Sequence, residues 1–199
     1  MQKIKIDIKS YTQKEINEIV DYLNQGKVII YPTDTIYGLG CDASNSKAIK
    51  KIYQIKKRDK SKALLILVKS WCMVKHYCYF SKKQDKYMRS LWPGPISAIL
   101  KKRENLPEEL SGNQDTVAVR IPKNDFLVDL IKAINKSLVS TSVNISGQRP
   151  LLAPNEIEKF FKNKKNKPDI LIDAGILKSK KPSKLIDISD IKNIKILRK

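Results

Sequence analysis

The residues best placed to do chemistry lie in hydroxyl-rich and cationic stretches. Tyr31-Pro32-Thr33-Asp34-Thr35-Ile36-Tyr37-Gly38-Leu39-Gly40 leaves an apolar run and enters a loop dense in hydroxyls and glycines. Loops at the strand ends of α/β sheets bind ligands because backbone N–H groups become free there. A turn that needs Pro and Gly only for its geometry is an equal reading of the same residues. Lys56-Lys57-Arg58-Asp59-Lys60-Ser61-Lys62 carries five positive charges in seven residues. The helix dipole favours cations at a C-terminus, but five exceed what a cap requires, and the cluster suits a phosphate clamp. It is not a P-loop, since no Gly-x-x-x-x-Gly-Lys-Ser/Thr run occurs.

Val117-Ala118-Val119-Arg120-Ile121-Pro122 sets one arginine in an apolar strand. A buried guanidinium without an anion or several acceptors costs several kcal/mol. An internal acid would satisfy it, and so would the carboxylate or phosphate of a ligand. Ser140-Thr141-Ser142-Val143-Asn144-Ile145-Ser146-Gly147 adds small hydrogen-bonding side chains at another strand end. Cys72, His76 and Cys78 crowd together but fit no common zinc spacing, and no metal site is expected there. Lys162–Lys167 reads as a solvated linker.

These groups need a scaffold, and composition bounds it. The chain has 199 residues, 41% of them hydrophobic, which is enough for one sizeable core and predicts one domain. No apolar run is long enough to cross a membrane or lead a secretory signal. Three cysteines without paired spacing argue against a disulfide framework, so a cytoplasmic location is expected. The net charge is +20, which draws the chain toward polyanions, nucleic acid or nucleotides. Part of that charge is compositional bias: lysine is abundant, glycine is scarce, and arginine occurs only at 58, 89, 103, 120, 149 and 198. In such a chain an arginine is the more informative placement.

Helices are predicted from Thr12-Gln13-Lys14-Glu15 to Gly26, over 46–56 and 81–91, after Asn124, and over 155–161. Strands are predicted over 27–31, 64–68, 96–100, 116–121, 137–142, 170–173, 185–188 and 194–197. Pro32 opens a loop through Gly38 and Gly40. Intermingled strands and helices, with several strands apolar throughout, imply an α/β (α+β) domain: a twisted mixed sheet flanked by helices.

The motif order carries more than any single loop. Tyr-Pro-Thr-Asp-Thr-Ile-Tyr-Gly-Leu-Gly, Lys-x-Arg, Trp-Pro-Gly-Pro, Val-Arg-Ile-Pro, Ser-Thr-Ser-x-Asn-x-Ser-Gly, Pro-Ser and a terminal Leu-Arg resemble the YrdC-like family, threonylcarbamoyl-AMP synthases. The likeness spans about residues 10–199 within a single domain of 1–199. It resembles the short form without an additional C-terminal domain.

The resemblance implies a fold with a basic concave face. It also implies that L-threonine, bicarbonate and ATP become L-threonylcarbamoyl-AMP and pyrophosphate, for the N6-threonylcarbamoyladenosine at position 37 of tRNA. Mg²⁺ would arrive with ATP, with no tightly bound cofactor. A downstream tRNA threonylcarbamoyl transferase would take the product, and tRNA itself would bind weakly.

By the same resemblance Lys56, Arg58, Ser142 and Asn144 are the catalytic set. Arg58, Lys62, Thr116, Ser142, Arg198 and Arg149 face ATP. Thr35, Arg120, Ser140 and Ser183 form the threonine pocket, with Arg120 pairing with the amino acid carboxylate. The chain departs from the family pattern at Ala63, at Lys184 and at Leu67, where some members carry a histidine near threonine. Two rival readings are a non-catalytic module for structured RNA and a related acyl-AMP or carbamoyl transferase acting on another amino acid. The RRM-type aromatic signature is absent.

Overall fold

A computed structural model describes residues 1–179 and 181–199. The first half runs β1 (Gln2–Lys5), α1 (Gln13–Asn24), β2 (Ile29–Tyr31), β3 (Gly38–Gly40), α2 (Ser46–Lys56), β4 (Leu65–Leu67), α3 (Trp71–Tyr77), β5 (Cys78–Tyr79) and α4 (Lys82–Arg89). The second runs β6 (Ile96–Lys102), α5 (Glu108–Ser111), β7 (Thr116–Arg120), α6 (Asp125–Ile134), β8 (Leu138–Ser142), α7 (Pro154–Phe161), β9 (Ile170–Asp173), β10 (Lys184–Asp187) and β11 (Lys195–Arg198).

Local chemistry sets the helix starts. Thr12 and Glu15 form the expected capping box, with Thr12 N donating to Glu15 Oε2 at 2.7 Å. Asn45 caps α2 through Ala48 N, and Asn124 caps α6 through Leu127 N. Helix α2 ends at Lys57, whose left-handed φ of 47° turns the chain into the cationic loop.

The strands join one mixed sheet in the order β1-β9-β2-β3-β8-β4-β7-β6-β10-β11, with β5 beside β6. Parallel pairs (β1 with β9, β9 with β2, β4 with β7, β6 with β10) are mixed with antiparallel ones, and β2-β3-β8-β4 is antiparallel throughout. Successive residues of β2 serve opposite faces, which is why its apolar run is unbroken. Ile29 and Tyr31 pack with Ile16, Ile19, Phe126 and Ile131 of α1 and α6, whereas Ile30 joins Ile49 and Ile52 of α2 on the other side.

Gly38–Gly40 departs from the sequence expectation. It is a strand, antiparallel to both β2 and β8. Glycine permits it, because the Tyr31 ring lies against Gly38 and Gly40, and a Cβ on Gly40 would collide with the Val139 carbonyl. β1, β5, α3 and α5 were not anticipated. α3 and α5 are short, and β1 is fixed by non-local pairing with β9. No described helix is long and apolar enough to cross a membrane.

Candidate active site

The two predicted hydroxyl stretches meet because β3 pairs with β8, bringing Gly38 opposite Ser142. β4 and β7 continue the floor and place Arg120 beside Leu67 in register. The result is a cavity of about 180 Å³. Its wall includes Thr33, Thr35, Ser97, Ser140, Thr141, Ser142 and Ser183, with Arg58, Arg120 and Arg198. Among the described residues, none that lines the cavity carries an acidic side chain.

Each guanidinium is held by part of its donor set. Arg120 is buried and donates from Nε to the Gly94 carbonyl at 2.8 Å, from Nη1 to Thr35 Oγ1 at 3.3 Å and from Nη2 to Asp34 Oδ1 at 2.5 Å. An internal acid therefore accompanies it, the first of the two partners considered from sequence. Three of its five N–H groups are engaged, leaving one on each terminal nitrogen. Arg58 is pinned by the Lys62 and Ala63 carbonyls through Nε and Nη2, which leaves Nη1 free of protein partners among the described residues. Arg198, on the exposed edge strand β11, folds back to the carbonyl and hydroxyl of Ser183 at 2.7 and 3.1 Å. Burial pulls all three guanidinium pKa values below their ordinary range, and Arg120 adds to the effect on Arg198. They stay cationic at any physiological pH.

Lys56 sits behind this wall, 1% exposed. Its Nζ reaches the Ser142 carbonyl at 2.6 Å, the Asn144 carbonyl at 3.1 Å and Asn144 Oδ1 at 2.6 Å. Those acceptors use all three ammonium hydrogens, so Lys56 braces the Ser142–Asn144 loop from beneath. Asn144 Oδ1 also accepts from Ser142 Oγ at 2.8 Å. Burial first, and then the Arg58 charge, push the Lys56 pKa down to about 7.

Of the residues singled out by sequence, Thr35, Arg58, Arg120, Ser140, Ser142, Ser183 and Arg198 line the cavity. Lys56 and Asn144 form the layer behind it. Lys62 is exposed on the cationic loop, with its carbonyl serving Arg58. Thr116 opens β7 on the same face as Ala118 and Arg120, toward the far end of the strand. Arg149 is outside the cavity: its side chain is 85% exposed and paired with Glu156 at 3.0 Å. Leu67 is buried among Phe126, Leu130 and Leu138, and it is Leu65 that reaches the cavity wall. Cys72 is exposed on α3, while Cys78 is buried.

Three residues escaped sequence reasoning. Asp34 pairs with Arg120, and Thr33 bonds Thr35. Ser97 Oγ lies 2.9 Å from Ser183 Oγ, both buried. The signal for Ser97 was available, since a hydroxyl interrupts the otherwise apolar Ile96-Ser97-Ala98-Ile99-Leu100.

Comparison with known proteins places the chain in a family. The chain matches the family Sua5_yciO_yrdC, described as "Telomere recombination", over residues 21–199. It is 36% identical over 172 residues to a protein of Pseudoalteromonas atlantica named threonylcarbamoyl-AMP synthase, covering 84% of this chain and 88% of that one. A Methanocaldococcus jannaschii protein named putative threonylcarbamoyl-AMP synthase is 33% identical over 195 residues, covering 96% and 90%.

Among solved structures, E. coli YciO superposes with a TM-score of 0.87 at 26% identity, covering all of this chain and 94% of that one. P. abyssi Sua5 complexed with L-threonine superposes at 0.84 and 26% identity, covering 95% of this chain. This chain spans only 54% of that Sua5. The family match over residues 21–199, together with the identity to these relatives, leads to one assignment: the chain belongs to the Sua5/YciO/YrdC family.

Proposed function

We propose that the protein is a threonylcarbamoyl-AMP synthase. The threonine amine and bicarbonate form N-carboxythreonine, an N–C bond forming as a C–O bond breaks and water leaves, and the carbamate oxygen then attacks the α-phosphorus of ATP. A new P–O bond forms to the carbamate, the P–O bond to the leaving group breaks, and pyrophosphate departs. The observation that carries this reading is the convergence of Arg58, Arg120 and Arg198 on a hydroxyl-lined cavity without an acidic side chain. In-line displacement at phosphorus asks for positioning and charge neutralisation rather than a protein nucleophile. The names of the relatives, and the L-threonine in the Sua5 complex, point the same way.

The roles follow from the free donors. Arg120 offers one N–H on each terminal nitrogen to the two oxygens of the threonine carboxylate. Thr35, Ser140 and Ser183 surround the rest of the amino acid. The enclosed volume is below the roughly 300–1,000 Å³ of sites that take larger ligands, so it suits threonine while the nucleotide extends from its mouth. Arg58 and Arg198 face the phosphates, and Lys56 holds Ser142 and Asn144 at the reacting end. Lys62 and Thr116 lie further out along the nucleotide. Mg²⁺ accompanies the polyphosphate, because the cavity wall supplies no carboxylate for a cage. The product passes to a tRNA threonylcarbamoyl transferase for N6-threonylcarbamoyladenosine at position 37. tRNA binds this chain weakly, and the cytoplasm supplies the substrates.

Mass spectrometry of the products tests the reading. Pyrophosphate and threonylcarbamoyl-AMP are expected only with ATP, bicarbonate and threonine together. ADP and orthophosphate would overturn it. So would selective, salt-resistant binding of one RNA shape with no product from threonine.

A further inference from the structure

We infer that Thr33 is a positioning residue that fixes the hydrogen polarity of Thr35, making Thr35 a hydrogen-bond acceptor that reads the α-amino group of the substrate. The inference rests on the threonine reading above. It follows from counting hydrogens along one short chain of contacts. Thr33 Oγ1 lies 2.7 Å from the Ile36 carbonyl, which can only accept. The single hydroxyl hydrogen of Thr33 is therefore spent on Ile36. Thr33 Oγ1 also takes Thr35 N–H at 2.9 Å and touches Thr35 Oγ1 at 2.9 Å. With its hydrogen spent, Thr33 must accept from the Thr35 hydroxyl, and both its lone pairs are then filled.

Thr35 is thereby oriented. Its hydrogen points to Thr33, and one lone pair takes Arg120 Nη1–H at 3.3 Å. One lone pair remains, and Thr35 lines the cavity. Both threonines are nearly sealed from solvent, 7% and 6% exposed, so water competes poorly for the arrangement. A residue in this state cannot donate to a carboxylate. It can only receive an N–H or O–H from the ligand.

The position of that donor follows from Arg120. The same guanidinium that binds Thr35 presents the remaining fork for the substrate carboxylate. The substrate group nearest a carboxylate is the one on its α-carbon, which in an amino acid is the amine. Thr35 and Arg120 together then read an α-amino acid as an adjacent donor and acceptor pair. Thr33 is also part of the cavity wall, but its hydrogen and both lone pairs are spent within the protein, so it acts on the substrate through Thr35.

The test compares wild type with Thr33→Val, which removes the hydroxyl at similar volume, and Thr33→Ser, which keeps it. L-Threonine and (R)-3-hydroxybutyrate, which has the carboxylate and β-hydroxyl but no amine, serve as ligands in calorimetry beside steady-state kinetics with threonine. The expected result is a roughly tenfold rise in the threonine KM of Thr33→Val, kcat within about threefold, and recovery in Thr33→Ser. Binding of (R)-3-hydroxybutyrate should be weak and equal in all three proteins. Thr33→Cys, a poor donor, should shift KM in the same direction and covers the case in which the valine variant does not fold.

An unchanged threonine KM in Thr33→Val, no recovery in serine, or an equal loss of (R)-3-hydroxybutyrate binding would overturn the role of Thr33. Failure of the wild type to make product from threonine would instead overturn the substrate reading, and this inference with it.

Discussion

Lys56 Nζ and Asn144 Oδ1 stand 2.6 Å apart in the protein interior, joining the end of α2 to the loop after β8. The same ammonium reaches two backbone carbonyls of that loop, so one side chain fixes Ser142 in the cavity wall and Asn144 behind it. Removing it strands three acceptors, and a lost charged hydrogen bond is worth about 1.5–3 kcal/mol. Lys56→Ala should therefore cost both turnover and stability. A fall in melting temperature of about 2–4 °C per kcal/mol is expected for a chain of this size, read by calorimetry beside the pyrophosphate assay. Asn144→Ala should lose turnover with a smaller thermal shift, since two of the three contacts persist.

The same lysine sets a pH dependence of stability. Its pKa is pushed from 10.5 to about 7 in the folded protein, chiefly by burial. Between about 7 and 10.5 the unfolded chain binds the proton that the folded chain has released, so stability rises with pH across that window. Below about 7 both states are protonated and the full cost of burying the charge is present. Denaturant unfolding of wild type against Lys56→Met cancels the other titrating groups. Wild type should gain stability relative to the variant from pH 7 to 10, and a flat difference would contradict the assignment.

Arg120 and Asp34 form a buried pair, their side chains 4% and 12% exposed. Arg120→Ala should weaken threonine binding roughly ten- to a hundredfold, from a lost charge-assisted pair of about 1.5–3 kcal/mol. It also leaves Asp34 uncompensated, and breaking a buried pair costs about 3–5 kcal/mol. The double variant Arg120→Ala with Asp34→Asn should recover part of the stability and none of the threonine affinity. Unfolding and calorimetry on the four proteins of the cycle separate the two effects.

Two glycines give opposite tests of the site's scaffold. Gly40→Ala puts a Cβ into the Val139 carbonyl and against the Tyr31 ring, where β3 must pair with β8. Backbone cannot yield there, so the variant should be largely insoluble or strongly destabilised. Gly147 meets nothing within 4 Å, but its φ of +84° is costly for an L side chain. Gly147→Ala should fold and lose only about 1–2 kcal/mol by thermal unfolding.

The helix starts were legible because caps are local. Thr12 and Asn124 each satisfy a donor within three residues, and the structure places α1 and α6 where they predict them; Asn45 does the same for α2, whose expected range of 46–56 did not rest on that cap. Most strands followed from apolar runs that serve both faces of the sheet. β3 was not legible, because a Gly-Leu-Gly segment becomes a strand only when Tyr31 and Val139 approach from distant parts of the chain.

The site divides along the same line. The types of group present are written in the chain directly: the hydroxyl loops, the cationic loop, an arginine inside an apolar strand, and the motif order that resembles the YrdC-like family. Those depend on residues near one another in the chain. Which groups share a cavity is a property of the folded sheet. Folding left Arg149 on the surface with Glu156, placed Lys56 behind the wall, gave Arg120 its Asp34 partner and brought Ser97 against Ser183, 86 residues away. Such contacts depend on the strand order and the direction of each side chain. Those are settled by burying two faces of one sheet at once, which no local stretch encodes.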